Sequence, residues 1–154
     1  MIFWMVWLIG IVVGIITTII NPSLRTVPLI AENLLFYQLT VTITLTGFIC
    51  FIGHVFTDRP ATKNGWPKGN LFEKELGFSQ LGWAFGGVLS IGYRGSFWIG
   101  IIIVFSTMMV GAAMIHIVDG IKNKNFKQGN PMIILIDLLI PATLIVLSIL
   151  AKIW

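Results

Sequence analysis

Residues Gln38 to Asp58 read QLTVTITLTGFICFIGHVFTD, and this stretch decides the fold. Within an almost unbroken apolar run, Gln38, Thr42, Thr46, Cys50, His54 and Asp58 recur at every fourth position. On a helix that spacing draws one slowly drifting polar stripe. Such a stripe is costly against acyl chains, so it is expected to face other helices. It carries one imidazole, His54, a group that binds metals or moves protons near neutral pH.

The rest of the composition agrees with a bilayer setting. The chain of 154 residues is 56% hydrophobic and 10% charged, with a mean hydropathy of +0.94. A soluble domain of this size needs far more surface charge, so the reading is an integral membrane protein. The formal charge of +4 is no nucleic-acid signature, because the basic residues sit in short loops between apolar runs. Cys50 is the single cysteine, which excludes an intramolecular disulfide. The first residues are apolar at once and lack the basic start of a signal peptide, so they read as a mature helix.

Five spans are expected, at about residues 2–20, 34–56, 72–92, 97–118 and 132–153, giving an all-α bundle of five transmembrane helices in one domain. Gly10 and Gly14 in the first span, and Gly82 and Gly86 in the third, are spaced for close helix packing. Ser23 to Asn33, with Arg25, Pro28 and Glu32, reads as an interfacial segment. Gly65-Trp66-Pro67 and Gly69-Asn70 are turn chemistry, with Trp66 at the headgroup level. Asn70 and Glu73 have the spacing of a capping box, so a helix should begin there. Its span is diluted by Ser79, Gln80 and glycines and is expected to be buried among the others. Asn130-Pro131 reads as an N-cap followed by proline, and Pro141 should bend the last span near Asp137.

With five spans the N-terminus and both long loops share a side. That side holds Arg59, Lys63, Lys68, Lys74, Lys122, Lys124 and Lys127, against Arg25, Arg94 and Lys152 on the other. The positive-inside rule then places the N-terminus and long loops in the cytoplasm and the C-terminus outside a cell (inner) membrane.

This topology puts His54, Glu75, His116 and Asp137, from four helices, in one slab of the inner leaflet. Asp137 lies about 9 Å into its span by helical rise. Asp58 and Asp119 fall just below, where they could support such ligands. Two imidazoles and two carboxylates suit a divalent metal such as zinc, iron or manganese, and an open position would make the site catalytic. A structural polar network accounts for the same residues equally well. In another reading His54 and His116 are axial ligands of haem b, with room beside Gly53 and Gly111 and propionates met by Arg59 or Lys122. In a third, Asp137 and the histidines form a proton relay in a small transporter. A Cys50–His54 nucleophile pair is disfavoured by its apolar setting. A non-catalytic subunit of a larger membrane complex, or a homo-oligomer, would use the cluster to fix helix register.

Gly53-His54, the Gly65-Trp66-Pro67-x-Gly69-Asn70-x-Phe72-x-x-Glu75 stretch, Gly111-Ala-Ala-x-x-His116-Ile, and the series Gly129-Asn130, Asp137, Pro141 resemble one family. It is a group of small multi-pass membrane proteins known only as a domain of unknown function. The resemblance runs from about Gly53 to Pro141 and implies that His54, Glu75, His116 and Asp137 belong to a pattern; it implies no activity.

A reporter fused after Lys63 or Lys124 should behave as cytoplasmic and one after Trp154 as external. If the third span does not cross, the Lys124 and Trp154 fusions exchange sides.

Overall fold

The computed structural model describes residues 2–126 and 129–154, so Met1, Lys127 and Gln128 lie outside the described residues. The chain is helical, with no strand among the described residues. Helix α1 is Ile2–Ile20. Helix α2 runs without a break over Val27–Phe56, 30 residues. A short α3, Arg59–Asn64, precedes α4, Leu71–Leu89. Helix α5 is Ser96–Lys122, 27 residues, and α6 is Gly129–Leu150.

Two spans are longer than the sequence reading placed them. Helix α2 starts at Val27 rather than Leu34, because Pro28 sits in its first turn, where a fixed φ helps and no N–H is missed. The supposed interfacial segment is therefore largely helix. Helix α5 continues past Val118 to Lys122, which makes Asp119 a helical residue. At about 1.5 Å per residue α2 is about 45 Å long, well beyond an apolar core of about 30 Å.

The length of α2 is covered by two partners in succession. Helix α1 runs antiparallel along its first half. Asn33 Nδ2 donates to the Gly14 carbonyl at 2.9 Å, Gln38 Nε2 to the Trp7 carbonyl at 3.2 Å, and Thr42 Oγ1 to the Val6 carbonyl at 3.4 Å. Gly10 makes this approach possible, since a Cβ there would stand 2.4 Å from Thr42 Oγ1. Helix α4 lies along the second half, where a Cβ on Gly47 would stand 2.5 Å from the Ala84 nitrogen and 2.6 Å from the Gln80 carbonyl oxygen. Helices α5 and α6 pack along each other and against α2. Their Ile102, Phe105, Met109, Ile136, Ile140 and Leu144 form one core with Leu35, Leu39 and Ile43.

The polar stripe faces inward. Gln38, Thr42 and Thr46 are buried while Leu45 and Phe48 are exposed; Cys50 and His54 are half-buried, and Asp58 is exposed. Between Gln38 and Ile43 the helix widens into a π-helical turn. Such a turn adds a residue to the local repeat, which suits side chains spaced four apart. Gly87 of α4 lies against it, near the Leu39 carbonyl and the Thr44 nitrogen.

Four helices, Ile2–Ile20, Val27–Phe56, Ser96–Lys122 and Asn130–Leu150, are long and apolar enough to cross a membrane. Helix α4 is not among them. Glu73, Lys74 and Glu75 crowd its first turns, and Ser79 and Gln80 follow. The helix begins at Asn70 as the sequence suggested, with the Asn70 side chain accepting from the Phe72 N–H at 2.9 Å rather than from the Glu73 N–H of a capping box. Of its two spaced glycines only Gly86 is in close contact, against Ile101; Gly82 has nothing within 4 Å.

These contacts give opposite signs for one chemical change. Gly47→Ala drives a methyl into the α4 backbone and should cost about 1–3 kcal/mol of stability. Gly82→Ala meets open space and should be neutral or stabilise by up to about 1 kcal/mol. Thermal unfolding of both variants in detergent checks the contrast.

Candidate functional site

The best-developed polar site forms where the loop after α3 folds onto the end of α5. Helix α3 closes at Gly65, whose φ of 78° suits glycine, and the Trp66 N–H bonds back to the Ala61 carbonyl at 2.9 Å. Pro67 follows, so the chain turns away and the indole is thrown across to α5. There it stacks on His116, with ring centroids 4.8 Å apart and planes 12° from parallel. Half-buried, the indole is a wall of the site.

Asp119, one turn beyond His116, collects three donors. They are Trp66 Nε1 at 2.9 Å, Asn123 Nδ2 at 2.8 Å and Asn125 Nδ2 at 2.6 Å. Asn125 Nδ2 also reaches the Asn64 carbonyl at 2.6 Å, which ties the two long loops together. Asn130 is the hinge of the network. Its Nδ2 donates to the His116 carbonyl at 3.2 Å and the Asn125 carbonyl at 2.9 Å, and its Oδ1 meets His116 Nδ1. Because the amide nitrogen is engaged as a donor, Oδ1 must accept, so His116 carries its proton on Nδ1. Nε2 is left as a lone-pair site with no hydrogen bond among the described residues. Asn130 lies inside α6, where the sequence suggested an N-cap.

The other expected site residues are dispersed. His54 packs against α4, beside Gly77, and its Nδ1 is shut from solvent without a partner among the described residues. Glu75 points outward and is exposed. Asp58 is exposed at the start of α3 and makes no capping hydrogen bond there. Asp137 is buried in α6, at 5% exposure, within electrostatic reach of Cys50. Among the described residues no three of His, Cys, Asp and Glu come close enough together to hold a metal ion. Membership of one slab concerns depth along the bundle and says nothing of position around it. The space beside Gly53 is taken by the Pro60 ring, 3.3 Å from where a Cβ would lie, whereas Gly111 faces open space.

Asn64, Asn125 and Asn130 escaped the sequence reading as site residues because a loop asparagine looks like turn chemistry. The signal available was their number around a Gly-Trp-Pro turn.

Fold and site together define an all-helical protein with four helices able to cross a membrane and a tied polar end. The chain belongs to the family described as "Family of unknown function (DUF6790)", which matches residues 1–153. The match takes in the first 33 residues, which the resemblance read from sequence did not. No curated protein and no solved structure matches the chain.

Removing the Asn130 amide leaves His116 Nδ1 without its acceptor in a buried place. Asn130→Leu should cost about 1–3 kcal/mol and release the tautomer preference. Trp66→Phe keeps a ring over His116 and removes one donor from Asp119, so its loss should be smaller. Thermal unfolding with imidazole nitrogen chemical shifts reads both effects.

Proposed function

We propose that this is an integral membrane protein of five crossing helices that takes up and releases a proton at Asp137, as a small proton-coupled transporter would. One observation carries the reading: Asp137 is buried in an apolar helix and has no hydrogen bond or ion pair among the described residues. A carboxylate without a cation is costly in such a medium, and a bound proton removes the charge. The interior also holds other polar atoms without partners among the described residues, including Thr46 Oγ1, Gln80 Oε1 and Ser106 Oγ. Buried groups of this kind are where internal water is found, and water extends a proton path.

Five crossings are supported by the ends of the helices. The loop that follows α2 stacks on the end of α5 through Trp66 and His116, while Arg94, just before α5, pairs with Glu32 near the start of α2. The chain between must return across the bundle, and α4 is the segment that does so. Arg59, Lys63, Lys68, Lys74, Lys122 and Lys124 gather on the Trp66 side, which favours a cytoplasmic placement of that end, the N-terminus inside and the C-terminus outside.

A second reading keeps a divalent metal (zinc, iron or manganese) or haem b. Two ring nitrogens favour it: among the described residues, His54 Nδ1 is buried without a partner and His116 Nε2 makes no hydrogen bond. Since no three donors gather among the described residues, further ligands would come from a second copy or from another subunit of a membrane complex.

Protein purified without chelators and placed in vesicles separates the two. The proton reading expects an infrared carbonyl band that titrates with pH and is lost in Asp137→Asn, and proton flux reduced in that variant to the level of protein-free vesicles. Unchanged flux in Asp137→Asn ends it. Stoichiometric metal, or a Soret band lost in His54→Ala and His116→Ala, transfers the function to the second reading.

A further inference from the structure

Two adjoining depressions at the Trp66 end share Trp66, Asp119 and Asn123 as a common wall. One opens over the loop residues Gly65, Lys124 and Phe126, with a volume of about 690 Å³. The other, about 470 Å³, runs down α5 along Met114, Ile115 and Val118 and ends at Lys122. Both volumes fall in the range of about 300–1,000 Å³ typical of small-ligand sites. Chemically they form a gradient. Met114, Ile115 and Val118 are exposed on a helix able to cross a membrane, so they face acyl chains. Trp66 sits at the change from apolar to polar, the depth at which indoles are favoured. Lys122 and Lys124 are exposed at the polar end and have no ion pair among the described residues.

We propose that this groove binds one anionic phospholipid, its phosphate at Lys122 and Lys124 and the start of an acyl chain along Val118, Ile115 and Met114. Asp119 does not oppose this strongly. Its oxygens are taken by the Trp66, Asn123 and Asn125 donors, and two lysines outweigh one carboxylate in the same wall. The groove is held open by the site itself, because the stack on His116 and the bond to Asp119 fix the indole that forms its side. A zwitterionic lipid carries its own cation and has less to gain from the lysines.

Native mass spectrometry of the full chain, with added phosphatidylglycerol or phosphatidylcholine of the same chain length, tests the assignment. The expected result is one phosphatidylglycerol retained per chain, with retention weakened on the order of tenfold or more in Lys122→Ala/Lys124→Ala. Lys63→Ala/Lys74→Ala removes the same charge from the same end and should retain the lipid as the parent does. Equal loss in both pairs would mean general attraction to a basic surface and overturns the groove. No preference for phosphatidylglycerol over phosphatidylcholine overturns it too. Glycerol phosphate alone, measured by protection against thermal unfolding, should give none; full protection by it would assign a headgroup site without the apolar arm and overturn the lipid.

Discussion

A helix long and apolar enough to cross a membrane that also carries a polar stripe has to find partners for it, and this requirement on α2 shapes the molecule. Gln38 and Thr42 meet it by donating to backbone carbonyls of α1, at Trp7 and Val6. A carbonyl of a helix is already engaged in its own ladder but keeps a second lone pair, so it can accept without unravelling. The approach needed is shorter than ordinary side chains allow, and Gly10 supplies it on α1 as Gly47 does toward α4. Helices that associate in lipid have no hydrophobic drive to do so, and close backbone contacts and interhelical hydrogen bonds of this kind are what hold such helices together.

The same requirement explains the weak hydropathy of α4. Its Gly77, Gln80, Trp83, Ala84, Gly86 and Gly87 are turned inward, and Phe72, Phe78, Phe85, Val88 and Leu89 outward. Averaged along the chain, inward-facing small and polar residues, together with exposed Lys74, Glu75 and Ser79, dilute an outward face that is otherwise largely apolar. A helix of this kind is stable beside α2 and poor alone. Its charged first turn then lies at the end where the other loop cations gather.

That end is closed by a knot of amides around His116. Asp119 disperses its charge over three N–H donors, Asn130 fixes the imidazole, and Asn125 joins the loop after α5 to the end of α3. A carboxylate satisfied in this way is a structural group, in contrast to Asp137, which has no such donors among the described residues. The two aspartates thus separate the roles that a single inner-leaflet cluster was expected to combine. One builds the groove and holds the indole over His116, and the other remains the ionisable group inside the bundle.

The sequence by itself determined that the protein is helical and suited to a membrane, because bulk transfer energies depend on composition and run length rather than on neighbours. It also determined which face of α2 turns inward, since a four-residue spacing of polar groups has only one cheap orientation in lipid. The Asn70 cap and the glycine approach at Gly10 were legible for the same local reason. Tertiary structure alone decided where α2 begins and how far α5 extends, as helix ends depend on what receives their last groups. It alone made Trp66 the partner of His116. It alone parted His54 and Glu75 from His116, because helical rise fixes depth from sequence while position around the bundle is set by which ridges and glycines meet.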